Sequence, residues 1–209
     1  MTDMIIFAFE IVGVIAFAIS GALVGIEKKM DILGISILGL LVACGGGVIR
    51  DLVLGITPPM TFRNPVYATI AIITSIAVFI YAVNFPKKAN SKAKDTIMLI
   101  MDAIGLGIFT VMGINTAYMQ EQDYSWFLLI FVGVITGVGG GILRDVMAGD
   151  RPYVFVKHFY ASASIIGAIV YVLIWPHLGT VTSMFAGTGV IIGLRILAAK
   201  YRWSLPKPE

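Results

Sequence analysis

The sequence predicts an all-α integral membrane protein with seven transmembrane helices, arranged as two inverted three-helix repeats followed by a seventh helix. Three observations lead to this fold class. Hydrophobic residues make up 58% of the 209 residues and charged residues only 13%, which is too apolar for a soluble domain of this size. Seven apolar segments each approach the roughly 20 residues that cross a hydrocarbon core about 30 Å thick. A Gly-Gly-Gly-x-x-Arg-Asp motif occurs twice.

The seven segments occupy most of the chain and define its organisation. Their continuous apolar runs, such as residues 70–83, exclude a β-barrel, whose strands are about ten residues long and alternate in polarity. The predicted spans are residues 4–25, 32–54, 65–84, 96–117, 125–148, 158–176 and 180–201. We group them as a first repeat at 1–84, a cytoplasmic linker at 85–94, a second, inverted repeat at 95–176, and a seventh helix with a cytoplasmic tail at 177–209.

Basic residues predict the orientation of these segments. The loops after the first, third and fifth spans share one side with the C-terminal tail, and this side carries Lys28, Lys29, Lys87, Lys88, Lys92, Lys94, Arg151, Lys157, Lys200, Arg202 and Lys207. The opposite side carries Arg63. Because basic loops stay in the cytoplasm, we expect a multi-pass protein of the cell (inner) membrane with its N-terminus outside and its C-terminus in the cytoplasm. Basic residues spread over short loops argue against a nucleic-acid partner and favour contact with membrane lipid.

The second and fifth segments contain the duplicated motif. Aligning residues 45–58 with 139–152 gives about seven identities in fourteen positions. The preceding segments also align and pair Glu10 with Asp102 and Phe17 with Phe109. Each repeat therefore contains three crossings, and an odd number makes the second copy enter the membrane from the opposite face.

Glycine triplets lie at the centre of both motifs. Each glycine costs about 1 kcal/mol of helix propensity relative to alanine, so two aligned triplets indicate a purpose. A kink or unwound turn there would offer backbone polar groups to a water-lined pathway. The alternative is close helix packing, which small residues also favour in membranes. The predicted kink residues are Gly45, Gly46, Gly47, Gly139, Gly140 and Gly141.

Six ionisable residues in the predicted spans are candidate pore-lining or gating charges: Glu10, Asp102, Arg50, Arg144, Asp51 and Asp145. Such groups cost at least about 2.5–3.5 kcal/mol when they face lipid, so we expect them to face the interior. The inverted topology puts Glu10 with Arg50 in one half of the membrane, and Asp102 with Arg144 in the other. We expect each acid to pair with, or approach, the arginine of its repeat. A structural salt bridge is the alternative role, and the two motif aspartates, nearer the helix ends, are alternatively ordinary interfacial residues.

Two single residues receive simpler interpretations. Cys44 has no partner cysteine, so we expect a buried packing residue. Arg195, near the end of the seventh span, is expected to snorkel toward the cytoplasm. We identify no motif for a tightly bound metal, a cofactor or catalysis, and therefore expect neither cofactor nor enzymatic activity.

The two motifs, each followed by glycine and proline, and the stretch Phe17 to Ala22 resemble the prokaryotic trimeric intracellular cation (TRIC) channel family. This family is also known under a glycine-transporter domain name and as UPF0126-like membrane proteins. The resemblance spans nearly the whole chain. It implies a homotrimer with one pore inside each subunit, shaped by glycine-kinked second and fifth helices, with potassium and sodium as permeants.

The residues leave two functions open. In a passive channel for monovalent cations, carboxylates and backbone carbonyls replace the hydration of the ion. In a secondary transporter of a small zwitterion such as glycine, an arginine or a helix N-terminus meets the carboxylate, and Glu10 or Asp102 meets the ammonium. The same residues serve both functions.

Overall fold

A computed structural model describes residues 2–85, 91–120, 124–156 and 159–203, and these residues form helices and connecting loops without strands. The all-α class is thereby confirmed. Residues 86–90 of the predicted linker lie outside the described residues, as do Lys87, Lys88, Lys157 and Lys207 of the orientation argument. The eight helices of the described chain are α1 (Thr2–Glu27), α2 (Ile32–Val53), α3 (Met60–Arg63), α4 (Val66–Asn84), α5 (Ser91–Tyr118), α6 (Trp126–Met147), α7 (Tyr153–Val156) and α8 (Tyr160–Tyr201).

Six of the described helices are long and apolar enough to cross a membrane. Five of them, α1, α2, α4, α5 and α6, coincide with the first five predicted spans. The sixth and seventh predicted spans both fall within α8, which has 42 residues. At about 1.5 Å per residue this helix would be roughly 63 Å long, twice the thickness of a hydrocarbon core.

α8 is interrupted near its middle. Gly179 has φ 72° and ψ 179°, a conformation outside the helical region that glycine adopts without strain. Pro176, one turn earlier, lacks the backbone N–H that a helix interior uses. We call residues 160–178 α8a and residues 180–201 α8b. The two predicted spans lie on either side of this break, and the count of seven crossings remains a prediction.

α2 and α6, the two motif helices, end in the same way. Each has 22 residues and is followed, one residue beyond its C-cap, by a glycine with positive φ, Gly55 at 73° and Gly149 at 75°. The residue after each glycine donates its N–H to the carbonyl of the motif aspartate, Asp51 or Asp145, at 2.8 Å. This closure satisfies carbonyl groups that the helix end would otherwise leave without a partner.

The interior of the bundle is formed where α1 and α5 meet the α2–α6 pair. α5 packs on α1, α6 and α8, whereas α2 packs on α1, α4 and α6. In α4, which is described throughout, Ala71 and Ser75 are the buried residues, so α4 lies at the periphery. Salt bridges from Lys28 to Asp150 (2.6 Å) and from Lys94 to Glu27 (3.0 Å) join the ends of α1, α5 and α6. These contacts bring the loop after α1, the start of α5 and the turn after α6 to one end of the bundle.

Candidate functional site

Arg144 of the second motif lies at the centre of a buried polar cluster. Its Nη1 donates to Asp102 Oδ1 and to Ser20 Oγ, both at 2.6 Å, and its Nε donates to Asp145 Oδ1 at 2.8 Å. The Arg144 side chain has no exposed surface. The predicted pairing of Asp102 with Arg144 is confirmed. Ser20, which comes from the first repeat, was not predicted, because an alignment of repeats does not reveal contacts between them.

The motif aspartates tie the motif helices to the short helices that follow. In both motifs the arginine Nε donates to Oδ1 of the adjacent aspartate at 2.8 Å. Oδ2 accepts the N–H of Met60 at Asp51 and that of Tyr153 at Asp145, both at 2.7 Å. The residues are 0% and 2% exposed, so the alternative that they are ordinary interfacial residues is wrong. Each carboxylate instead fixes the start of α3 or α7 against the end of its motif helix.

The acid of the first repeat has a different partner from that of the second. Glu10 accepts a hydrogen bond from the Tyr67 hydroxyl. Arg50 pairs with Asp51 at 2.8 Å and its Nη2 lies 4.0 Å from Met60 Sδ. Glu10 and Arg50 line the same cavity of 80 Å³ but, among the ion pairs of the described residues, none joins them. In the first repeat the acid therefore approaches its arginine, as predicted, but does not form an ion pair with it.

Tyr67 and Tyr160 occupy corresponding positions in the two clusters. Tyr67 is the second residue of α4 and Tyr160 is the first residue of α8. The Tyr160 hydroxyl donates to Asp102 Oδ1 at 3.4 Å, a longer bond than those made by Arg144. Neither tyrosine was predicted. The signal was present, since each follows its motif arginine at nearly the same spacing, and extending the alignment into the third helices would have paired them.

The glycine triplets lie inside unbroken helices. Within the described ranges 32–53 and 126–147 the helical assignment continues through both triplets, so neither contains an unwound turn. A Cβ added at Gly46 would overlap the carbonyl oxygen of Thr136, and one at Gly140 would overlap that of Val42. Close packing of α2 on α6, the alternative weighed for these glycines, is what the structure contains. A kink that shapes a pore remains a prediction.

Two cavities with ionisable residues in their linings lie at opposite ends of α1 and α5. We call the first the Glu10 vestibule; its two parts of 80 and 250 Å³ share Glu10 and Met60. Its other polar lining residues are Asp3, Arg50, Thr61, Tyr67, Asn115, Thr116 and Gln120. We call the second, of 340 Å³, the Asp102 vestibule; its polar lining residues are Glu27, Asp95, Asp102, Tyr153 and Arg195. Each is large enough to hold several water molecules.

An aromatic pair joins α1 and α5 in the stretch between the two vestibules. Phe17 of α1 stacks on Phe109 of α5 with ring centroids 5.2 Å apart and an interplanar angle of 28°. Phe17 is 1% exposed, and Phe109 also lines the Glu10 vestibule. These are the residues that the repeat alignment pairs, each seven positions after the acid of its repeat. The two copies of the duplicated unit thus meet at equivalent side chains midway between the vestibules.

Comparison with known proteins identifies the family. A family model described as "Glycine transporter" matches residues 7–82 and 99–176. The UPF0126 inner membrane protein YadS of Escherichia coli strain K12 is 34% identical over 205 residues, 98% of this chain and 96% of YadS. The UPF0126 membrane protein YvgT of Bacillus subtilis strain 168 is 34% identical over 197 residues, 94% of this chain and 93% of YvgT.

Solved structures agree with these relatives. The crystal structure of a prokaryotic TRIC channel in 0.5 M KCl has a TM-score of 0.87 and 34% identity, and the match covers 97% of this chain and 99% of that one. The TRIC orthologue from Rhodobacter sphaeroides has a TM-score of 0.86 and 30% identity, covering 95% and 98%. The chain belongs to the prokaryotic TRIC channel family. The resemblance drawn from the duplicated motif is confirmed, and this TRIC family member is a multi-pass membrane protein.

Arg195 of this TRIC family member lies outside both stretches that match the family model. It is 3% exposed, its Nη2 lies 3.6 Å from Asp102 Oδ2, and its guanidinium lies 4.6 Å from the ring centroid of Tyr160. The expectation that Arg195 snorkels toward the cytoplasm is wrong, because a buried carboxylate and an aromatic face attract the guanidinium into the bundle. Its segment, α8b, has no counterpart in the repeat, so the alignment contained no signal for it.

Proposed function

We propose that each subunit forms a passive channel for monovalent cations, running from the Glu10 vestibule to the Asp102 vestibule past the Phe17–Phe109 pair. The observation that supports this most directly is the presence of cavities with acidic lining residues at both ends of the α1–α5 pair, with the Phe17–Phe109 contact in the stretch between them. Similarity to solved structures described as TRIC cation channels supports the same function. Potassium and sodium are the proposed permeants, because the carboxylate and amide oxygens that line the vestibules are ligands suited to hard monovalent cations.

The arginines set a condition on this proposal, since an unpaired guanidinium in a constriction repels cations. Arg50 is paired with Asp51 at 2.8 Å, and Arg144 is paired with Asp102 and Asp145. Their charge is therefore balanced locally by buried carboxylates. Glu10, held by a neutral tyrosine, faces the Glu10 vestibule without a guanidinium bound to it.

The aromatic pair is the proposed gate. Two stacked rings in a narrow apolar passage exclude water, and a dry constriction stops ions even where a gap remains. Opening requires the rings to separate, which a bend of α2 and α6 at the glycine triplets would allow, since Phe17 lies against Gly140. This is the pore-shaping role proposed for Gly45 to Gly47 and Gly139 to Gly141.

The membrane arrangement completes the proposal. We infer seven crossings, with α8a and α8b as separate spans, and two inverted repeats of three helices each. The proposed location is the inner membrane, with the N-terminus outside and the C-terminus in the cytoplasm. The proposed assembly is a homotrimer with lipid around it, in line with the description of the Rhodobacter sphaeroides orthologue as a trimeric channel.

A secondary transporter of a small zwitterion such as glycine is the second candidate. One observation favours it: Asp102 is 1% exposed and bound to Arg144, whereas Glu10 is only partly buried and faces a cavity. Access to the acid from one end at a time is the arrangement that alternating access requires.

The rate of transport separates the two candidates. Purified protein is reconstituted into planar bilayers for single-channel recording, and into liposomes for uptake of labelled glycine. We expect unitary potassium currents and no saturable glycine flux. Saturable glycine flux without unitary currents would overturn the channel and support the transporter. Glu10→Gln and Asp102→Asn test the site assignment, and unchanged conductance and selectivity in both would leave these acids a structural role.

A further inference from the structure

The two oxygens of Asp102 have different surroundings. Oδ1 accepts a hydrogen bond from Arg144 Nη1 at 2.6 Å. Oδ2 is buried and accepts no hydrogen bond from the described residues; the cation near it is the Arg195 guanidinium, with Nη2 at 3.6 Å. That separation exceeds the 2.7–2.9 Å of a strong charge-assisted hydrogen bond. Arg195 therefore neutralises Oδ2 without binding it tightly.

We propose that Asp102 Oδ2 is a binding site for a monovalent cation in the Asp102 vestibule, and that the guanidinium of Arg195 competes with the cation for this oxygen. Both residues line the same 340 Å³ cavity, which has room for an ion with part of its hydration shell. A buried carboxylate oxygen without a hydrogen-bond donor is a favourable ligand for such an ion. The inference rests on the proposed function only for its conductance readout.

The contacts of Arg195 support a displaceable role. The guanidinium lies 4.6 Å from the ring centroid of Tyr160, and a cation–π contact supplies a resting place that does not depend on Asp102. When an ion reaches Oδ2, Arg195 can remain on the ring while its contact with Asp102 is lost. The remaining acids of the vestibule, Glu27 and Asp95, lie toward its mouth and attract cations from solution.

The Glu10 vestibule contains no equivalent competitor among its described lining residues. Its arginine, Arg50, belongs to the motif and corresponds to Arg144, whereas Arg195 comes from α8b, outside the duplicated units. The two ends of the path therefore differ by one basic side chain at the depth of the acid. We expect cations to enter less readily from the Asp102 end than they would without Arg195.

The first test measures binding without transport. Melting temperatures of the purified protein are compared in KCl and in choline chloride at equal ionic strength, because an ion that binds the folded state raises its stability. Arg195→Gln is expected to enlarge the potassium-specific increase, and Arg195→Lys to keep it close to the wild-type value. Lys200→Gln, which removes an exposed charge from the same segment, is the matched control and should change nothing.

The second test measures unitary potassium currents at low salt, where charges act over the longest range. In Arg195→Gln the current entering from the Asp102 end should rise on the order of threefold or more. Adding Asp102→Asn to this variant should abolish both the gain in current and the gain in potassium-specific stability. Addition of a charged thiol reagent to one compartment assigns the end, using Glu27→Cys in a Cys44→Ser background.

The outcomes are distinct for the two proposals. The cation site is overturned if Arg195→Gln shows the same potassium-specific increase in melting temperature as the wild type. It is also overturned if the gain in stability or in current persists when Asp102→Asn is added to Arg195→Gln. An equal gain in Lys200→Gln also overturns it, because the effect is then general surface charge. Potassium-specific stabilisation that follows this pattern without any current supports the site and contradicts the channel.

Discussion

The two polar clusters contain the same residue types but distribute their contacts differently. In both, the arginine binds the neighbouring aspartate at 2.8 Å and that aspartate accepts a backbone N–H at 2.7 Å. The acids differ, since one binds a guanidinium and the other a phenol. The clusters are Glu10, Arg50, Asp51 and Tyr67 in the first repeat, and Asp102, Arg144, Asp145 and Tyr160 in the second.

The two clusters therefore share one set of contacts, around the arginine–aspartate pair, and differ in the partner of the acid. The arginine–aspartate pair closes the motif helix and fixes the next short helix in both repeats, which is a structural task. The acid on α1 or α5 is the part whose partner changes. Ser20 adds a third acceptor for Arg144 at 2.6 Å, beside Asp102 and Asp145. The residue that the alignment places opposite Ser20 is the apolar Met112. The second cluster is therefore the more tightly bonded of the two.

Loss of the motif arginine should have the largest effect and should differ between the clusters. Arg144→Gln leaves Asp102 and Asp145 buried with less compensation, and we expect a loss of about 3–5 kcal/mol of stability. Arg50→Gln should cost clearly less, because Arg50 borders a cavity that admits water. Unfolding in mixed micelles with increasing SDS measures both. Equal losses would contradict the conclusion that the second cluster is the more tightly bonded of the two.

Alanine at the third glycine of each triplet should have the next largest effect. A Cβ at Gly141 would lie 2.6 Å from the Tyr160 hydroxyl, whereas at Gly47 the nearest atom, on Arg50, is 3.7 Å away. We expect Gly141→Ala to lose about 1–3 kcal/mol through overpacking. Gly47→Ala should be neutral or gain up to about 1 kcal/mol of helix propensity.

The same unfolding titration, with circular dichroism to check helix content, measures this pair. The two glycines are aligned and differ only in what lies opposite, so each variant is the control for the other. A gain in stability in both variants would mean that Tyr160 moves aside without cost. A loss in both would indicate that Gly47 serves a conformation other than this one.

Sequence reasoning recovered the aligned acids and motif residues of this site. It missed the two tyrosines, although they repeat, and it missed the contacts that do not repeat. The duplicated motif and its alignment predicted the Asp102–Arg144 pair, because topology and the cost of a buried charge require a partner. They did not reveal Ser20, which crosses between repeats, or Arg195, which lies on α8b. The triplets indicated either packing or a kink, and propensity alone does not decide between them, because both outcomes favour glycine. The Gly46–Thr136 approach required three-dimensional structure.

Removal of the tyrosine hydroxyl should cost more stability in the first cluster than in the second, the reverse of the order expected for the arginines. Tyr67→Phe takes away the hydrogen-bond partner of Glu10, and we expect a loss on the order of 1 kcal/mol. Tyr160→Phe should cost less, because its bond to Asp102 is 3.4 Å long and Asp102 keeps Arg144. The aromatic ring beneath Arg195 is preserved in Tyr160→Phe. A larger loss in Tyr160→Phe than in Tyr67→Phe would show that the longer bond is the stronger one.

The smallest expected effect concerns a contact that the described residues form at the Asp102 end of the bundle. Lys28 and Asp150 form a salt bridge of 2.6 Å between the loop after α1 and the turn after α6, with side chains 33% and 46% exposed. The residue that the alignment places opposite Asp150 is Ile56, so the other repeat has no such link. Because exposed ion pairs contribute about 0.2–1 kcal/mol and weaken in salt, Lys28→Gln should lower stability slightly at low salt and not at high salt. Lys29→Gln, one residue away and exposed, is the control. A larger, salt-independent loss in Lys28→Gln would mean that this link holds the Asp102 end of the bundle closed and does more than contribute surface charge.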